Sequence, residues 1–113
     1  MAQSKELVAA SATPLILSIL YRGESYGYAI IQELRTLSDE EILWTDGMLY
    51  PVLRRLEKQG LILSEWRVAE SGKRRRYYCI KKPGLEQLKE QKRQWTLTNN
   101  ILTKLWEDIP CSI

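Results

Sequence analysis

The chain has 113 residues, 44% of them hydrophobic, with a formal net charge of +3. That length suits one domain of ordinary size, the apolar share excludes a disordered chain, and no apolar run approaches the ~18 residues a membrane span needs. Histidine is absent, which removes the usual general base and zinc ligand, and Cys79 and Cys111 lack the number or spacing of a disulfide framework or metal site.

The first twenty residues, MAQSKELVAASATPLILSIL, make a poor signal peptide: the charge is weak and no cleavage site follows the apolar run. A cytoplasmic location is therefore expected. TPLILSILYR (13–22) is an apolar helix, with Pro14 suited to its first turn and Gly23 to its stop. The pattern leaves open whether 4–12 extend it. In GESYGYAIIQELRTLS, Ser25 can cap a second helix over roughly 27–37, with Ile30, Ile31 and Leu34 on its inner face. Asp39-Glu40-Glu41 is better explained as a solvated link than as a metal site.

TDGMLYPVLRRLEKQG (45–60) has the punctuation of a third helix. Thr45 or Asp46 caps it, Leu49, Leu53 and Leu56 recur at helical spacing, and Gly60 ends it. Val52 and Leu61 extend the apolar face, while Tyr50, Arg54 and Lys58 occupy the other, with Arg55 on the flank. Pro51 costs little if the helix starts at Gly47 or Met48, because amides near the first turn are free anyway. After Gly60 the period changes to two. LILSEWRV and RRRYYCI read as the strands of a β-hairpin around the turn ESGK, where Gly72 can take a positive φ. Pro83-Gly84 punctuates, and a long helix follows over roughly 84–107.

Helix, helix, helix, hairpin, long helix is a mainly α architecture with a small β-hairpin. These are the parts of a winged helix-turn-helix (residues 1–82), followed by a long C-terminal dimerisation helix and tail (83–113). The charge agrees with it. Residues 54–93 hold 13 Lys and Arg against 5 acids, a local +8 that leaves −5 for the remainder. Such a basic face points to a polyanion, here double-stranded DNA. The candidate DNA-facing residues are Ser25 and Tyr28 before and in the second helix, Thr45, Met48, Tyr50, Pro51, Arg54 and Lys58 around the third, and Lys73, Arg74 and Arg75 in the hairpin. Arg54 can fork to a guanine edge and Tyr50 can bond a phosphate. Lys73 and Arg74 at the tip can reach phosphate or the minor groove, whereas one of Arg75 and Arg76 lies back along the strand. A solvated strand edge would account for one or two lysines, but a run of arginines fits bidentate phosphate binding better.

In the last helix, Leu85, Leu88, Lys92, Trp95, Asn99, Leu102 and Trp106 alternate at spacings of three and four, a coiled-coil seam. Thr98, Ile101, Leu105 and Ile109 form a second stripe. One seam can pack on the chain's own first helix, and the other asks for a second copy of the chain. Leu88, Lys92, Trp95, Leu102, Leu105 and Trp106 are the candidate dimer residues. Trp95 reads as plain core or as a stacking surface for a planar aromatic effector. Asn99, Leu17 and Tyr21 are the other residues assigned to that pocket. No phosphate loop, nucleophile elbow or CxxC occurs, so no catalytic residue, metal or cofactor is expected.

YGYAIIQEL, DGMLYPVLRRLEKQGLI and SGKRRRYY, followed by the long helix, resemble the PadR family of bacterial transcriptional regulators from about Leu15 to Trp106. The resemblance implies a homodimeric winged-helix DNA-binding protein, in a family whose members are mostly repressors, of the subgroup with a single long final helix. Some multidrug-sensing members of that subgroup hold planar aromatic compounds between paired tryptophans at the dimer centre, and Trp95 matches that tryptophan by type and place. Tyr50 and Pro51 match the recognition-helix motif, and Lys73, Arg74 and Arg75 the wing. Two departures stand out. Met48 replaces a small or hydroxylated residue, and Lys81-Lys82-Pro83-Gly84 replaces the family's T-x-x-G opening of the last helix. The rival reading is a winged helix that pairs with another protein and never touches DNA.

Overall fold

The computed structural model describes residues 5–110, so Cys111 lies outside the described residues. Lys5–Tyr21 form one continuous helix, α1. The segment before Thr13 joins it because Glu6, Leu7 and the alanines are strong helix formers, and Ala12 reaches the core. Pro14 therefore sits inside the helix, not in its first turn. It removes one intrahelical hydrogen bond, to the Ala10 carbonyl, at a cost of about 3 kcal/mol that tertiary burial must offset. Ile16, Leu17, Ile19 and Leu20 supply that burial.

Ser25–Tyr26 form a short strand, β1, ahead of α2 (Gly27–Leu37). Ser25 was expected to cap α2; instead it pairs with Tyr78, and Tyr26 takes the N-cap position without a side-chain bond. The sheet satisfies this backbone, so no hydroxyl cap is needed. Ile30 and Leu34 bury the inner face of α2. The link that follows turns through Asp39 and Glu40, both left-handed at φ 51° and 67°. Ser38 braces it, donating its hydroxyl to the Leu34 carbonyl (2.7 Å) and accepting the Ile42 N–H (2.8 Å).

The next helix, α3 (Asp46–Lys58), has Thr45 as N-cap in extended geometry, with no side-chain bond. Because α3 starts at Asp46, Pro51 is its sixth residue and lies beyond the first turn. Its missing N–H leaves the exposed Gly47 carbonyl to solvent. At the other end, Gly60 (φ 77°) closes a Schellman motif: its N–H reaches the Glu57 carbonyl, and the Leu61 N–H reaches Leu56. Leu49, Leu53 and Leu56 are fully buried.

Strands β2 (Ile62–Val68) and β3 (Arg74–Ile80) pair antiparallel from Ile62↔Ile80 to Val68↔Arg74, and β1 adds to the outer side of β3, giving the order β1-β3-β2. Gly72 (φ 87°) provides the left-handed residue of the tip turn. The last helix, α4 (Lys82–Leu105), begins against the base of this wing. A Cβ on Gly84 would stand 2.1 Å from the Leu61 carbonyl oxygen, so only glycine permits the approach. The Lys81 N–H bonds that same oxygen at 2.9 Å. Lys81 takes the N-cap position without a side-chain bond, and Pro83 in the first turn, with its fixed φ and no N–H to satisfy, suits the helix start.

One core joins these elements: Ile16, Leu17 and Leu20 of α1, Ile30 and Leu34 of α2, the α3 leucines, Ile62, Tyr78 and Trp44. The described chain extends 55 × 30 × 21 Å. Its radius of gyration, 16.0 Å, exceeds the ~13 Å of a compact chain this long. The excess comes from α4, whose far half leaves Leu97, Ile101, Leu105 and Trp106 exposed. No helix among the described residues is long and apolar enough to cross a membrane.

Candidate nucleic-acid interface

Burying the three leucines of α3 turns Tyr50 and Arg54 outward, toward the inner face of the wing. Between them opens a cleft of about 600 Å³, lined by Gly27, Tyr28, Tyr50 and Arg54 on one side and Trp66, Lys73, Arg74 and Arg76 on the other. Tyr78 and Glu57 lie at its floor. Tyr50 crosses the start of α2 so closely that a Cβ on Gly27 would meet its hydroxyl at 2.6 Å. Glycine at 27 therefore makes room for the phenol. Burial pushes the Tyr78 phenol above its ordinary value, keeping it neutral.

The wing's cations are not equivalent. Strand alternation puts Arg74 and Arg76 on the inner face with Trp66, and Arg75 on the outer face. Arg76 is the residue that lies back: its Nε donates to Ser64 Oγ (2.8 Å) and its guanidinium to Glu57 (3.4 Å). Ser64 in turn donates to Glu57 at 2.8 Å, so one carboxylate of α3 ties down the wing. Arg75 lies over the Tyr26 ring at 4.5 Å. Arg67 is held by Glu24 (2.6 and 2.7 Å) and by Glu65. Arg54, Lys73 and Arg74 make no ion pair among the described residues.

Other residues assigned from the sequence fall outside this cleft. Ser25 is half-buried in β1, while Thr45, Met48, Pro51 and Lys58 are exposed along α3 but do not line it. Arg55 turns away and donates to Thr13 Oγ1 of α1 (3.2 Å). Glu57, Ser64 and Trp66 were missed as site residues. The signal was present, since Ser64, Trp66 and Arg76 share a strand face, but Glu57 joins them only through the packing of α3 on β2.

The Glu24–Arg67 pair carries a pH consequence. The hydrogen bonds from Arg67 hold the Glu24 carboxyl below its ordinary 4.5. A depressed carboxylate stabilises the folded state above its unfolded value, and the contribution vanishes as pH falls through the folded value. Amide protection in β1 and β2 is thus expected to weaken with acid below about pH 4.5. Hydrogen exchange checks it: in Glu24→Gln that acid-dependent step should disappear, and persistence of the step would assign it to another group.

A second, more apolar groove of about 530 Å³ runs between α1 and α4, lined by Pro14, Ser18, Tyr21, Leu85, Leu88, Lys92, Trp95 and Thr96. It contains Trp95 and Tyr21 of the residues assigned to an effector. Leu17 does not reach it, being fully buried in the core by the helix turn it occupies, and Asn99 stands exposed one turn beyond. No group of three or more His, Cys, Asp or Glu able to hold a metal occurs among the described residues.

Comparison with known proteins places this geometry. Residues 16–90 match the model of the transcriptional regulator PadR-like family. A transcriptional regulator from Clostridium thermocellum superposes with a TM-score of 0.80 at 35% identity, over 88% of this chain and 97% of that one. A PadR family transcriptional regulator from Eggerthella lenta gives 0.74 at 40% identity, over 90% and 87%. The transcriptional regulator YqjI of Escherichia coli is 32% identical over 71% of this chain, which spans only 37% of that protein's length. A recognition helix beside a basic wing, on this core and with these relatives, makes the chain a DNA-binding regulator that belongs to the PadR-like family.

Proposed function

We propose that the protein is a repressor that binds a two-fold symmetric operator as a homodimer, and that a planar aromatic compound beside Trp95 releases it. In this reading residues 1–82 carry the DNA-binding unit and 83–113 the dimer helix. The observation that carries the dimer is the uncovered far end of α4: Ile101 and Leu105, one turn apart, and Trp106 at the C-cap are each at least half exposed. A monomer has no reason to keep such a surface on a helix that runs past its own core. Leu88 is partly buried against its own chain, so the near end of the seam is used within the protomer. The far end, with Leu102 half-buried, is left for the second copy. Two recognition helices would then face successive major grooves.

The test is light scattering with operator binding. Leu105→Asp with Trp106→Asp is expected to give a folded monomer that has lost high-affinity DNA binding. A variant that remains dimeric rejects α4 as the seam.

Effector coupling requires that the compound bind the released geometry better than the DNA-bound one. A planar aromatic cation is expected to quench tryptophan fluorescence and weaken operator binding. Trp95→Ala should abolish both effects, and an unchanged response would remove the groove from the reading.

Within the DNA-facing cleft, Gly27→Ala should drive the Tyr50 phenol off α2 and weaken DNA binding several-fold, with the fold retained by circular dichroism. Unaltered affinity would show that Tyr50 makes no contact with DNA.

A further inference from the structure

Trp66 is more than half exposed, yet it stands on the inner face of the wing, opposite Arg76 and diagonal to Arg74. The Arg74 guanidinium lies 5.0 Å from the centre of its ring, and that of Arg76 lies 5.8 Å away. These two cations differ in their other partners. Arg76 is already fixed by Ser64 and Glu57. Arg74 has no carboxylate among the described residues, so the indole is what holds it.

We propose that Trp66 is a positioning residue for DNA binding: it holds the Arg74 guanidinium at the mouth of the cleft, aimed at the DNA strand that crosses between wing and α3. The inference rests on the reading of the cleft as a DNA interface and adds a residue to it. An unrestrained arginine at a hairpin tip loses side-chain freedom when it binds a phosphate. An arginine already resting on an indole face has given up much of that freedom before DNA arrives, so more of the contact appears as affinity. The arrangement also explains why an exposed tryptophan is placed on the strand face that points at α3. There it covers no core, and its ring is the widest aromatic surface for a cation. Arg76 on the flank keeps the indole from turning away, because it is itself anchored to α3 through Glu57.

The experiment is a double-mutant cycle on binding to a duplex carrying the operator, followed by fluorescence anisotropy. Trp66→Ala is expected to weaken binding roughly two- to fivefold, the range of an exposed cation–π pair. The same substitution made in Arg74→Ala should cost nothing further, and Trp66→Phe should recover most of the loss. Unchanged thermal unfolding of Trp66→Ala separates positioning from folding. Full additivity with Arg74→Ala, or wild-type affinity in Trp66→Ala, overturns the proposal. If the wild-type chain itself does not bind the duplex, it is the underlying DNA reading that falls.

Discussion

Replacing Gly84 with alanine is expected to lower the unfolding free energy by about 3 kcal/mol, the upper end for overpacking. Two effects oppose each other at this position. Gly84 has no left-handed φ and lies in the first turn of α4, so helix propensity alone favours alanine by up to about 1 kcal/mol. The new Cβ, however, would stand 2.1 Å from the Leu61 carbonyl oxygen and 2.9 Å from Ile80 Cγ1. A backbone oxygen cannot rotate aside as a side chain can, and this one also accepts the Lys81 N–H that joins wing to helix. Relieving the contact means lifting α4 off the base of the wing, so packing should win. Urea unfolding decides the sign: a lower midpoint at unchanged slope is expected. Gly47→Ala is the control. Its Cβ would meet nothing nearer than Thr45 Oγ1 at 3.7 Å, so it should be neutral or mildly stabilising. A neutral Gly84→Ala would mean that α4 is not seated where the structure puts it.

The second large effect is ionic. DNA affinity should fall roughly 10³-fold between about 50 and 200 mM salt, as expected for a protein that displaces several counterions from phosphate. The slope should follow the cations that are free, and not the total of basic residues. Replacing Arg74 should lower the slope by about one per guanidinium removed and weaken all sequences alike. Replacing Arg54, which lines the cleft from α3, should instead relax sequence preference. Arg76 should behave differently from both. Bound to Ser64 and Glu57, it is expected to loosen the wing when removed while changing the salt slope little. A salt-independent affinity would favour the alternative of a winged helix that recognises another protein.

The sorting of these arginines marks where sequence reasoning stops. Alternation along RRRYYCI required that one of Arg75 and Arg76 lie back along the strand. It could not say that Arg76 was the one, because Glu57, which claims it, is nineteen residues away. The same holds for Leu17. Its helical period allowed a place facing α4, but the rotation of α1 against the α3 leucines buried it and left Tyr21 and Pro14 at the groove. Ser25 looked like a cap because capping is a local competition. A backbone partner on β3, more than fifty residues later, satisfied the chain differently.

The sequence by itself determined the parts and their order: three helices by apolar period, a hairpin by alternation and a turn glycine, and a long last helix with more apolar surface than one chain can cover. These are local properties, set by backbone preference and the burial of a single face. Only the tertiary structure decided which cations remain without an ion pair, why Gly84 must lack a side chain, and that Gly27 makes room for Tyr50. Each of those depends on a contact between elements distant in the chain, where the decisive quantity is a separation of a few ångströms that no local pattern encodes.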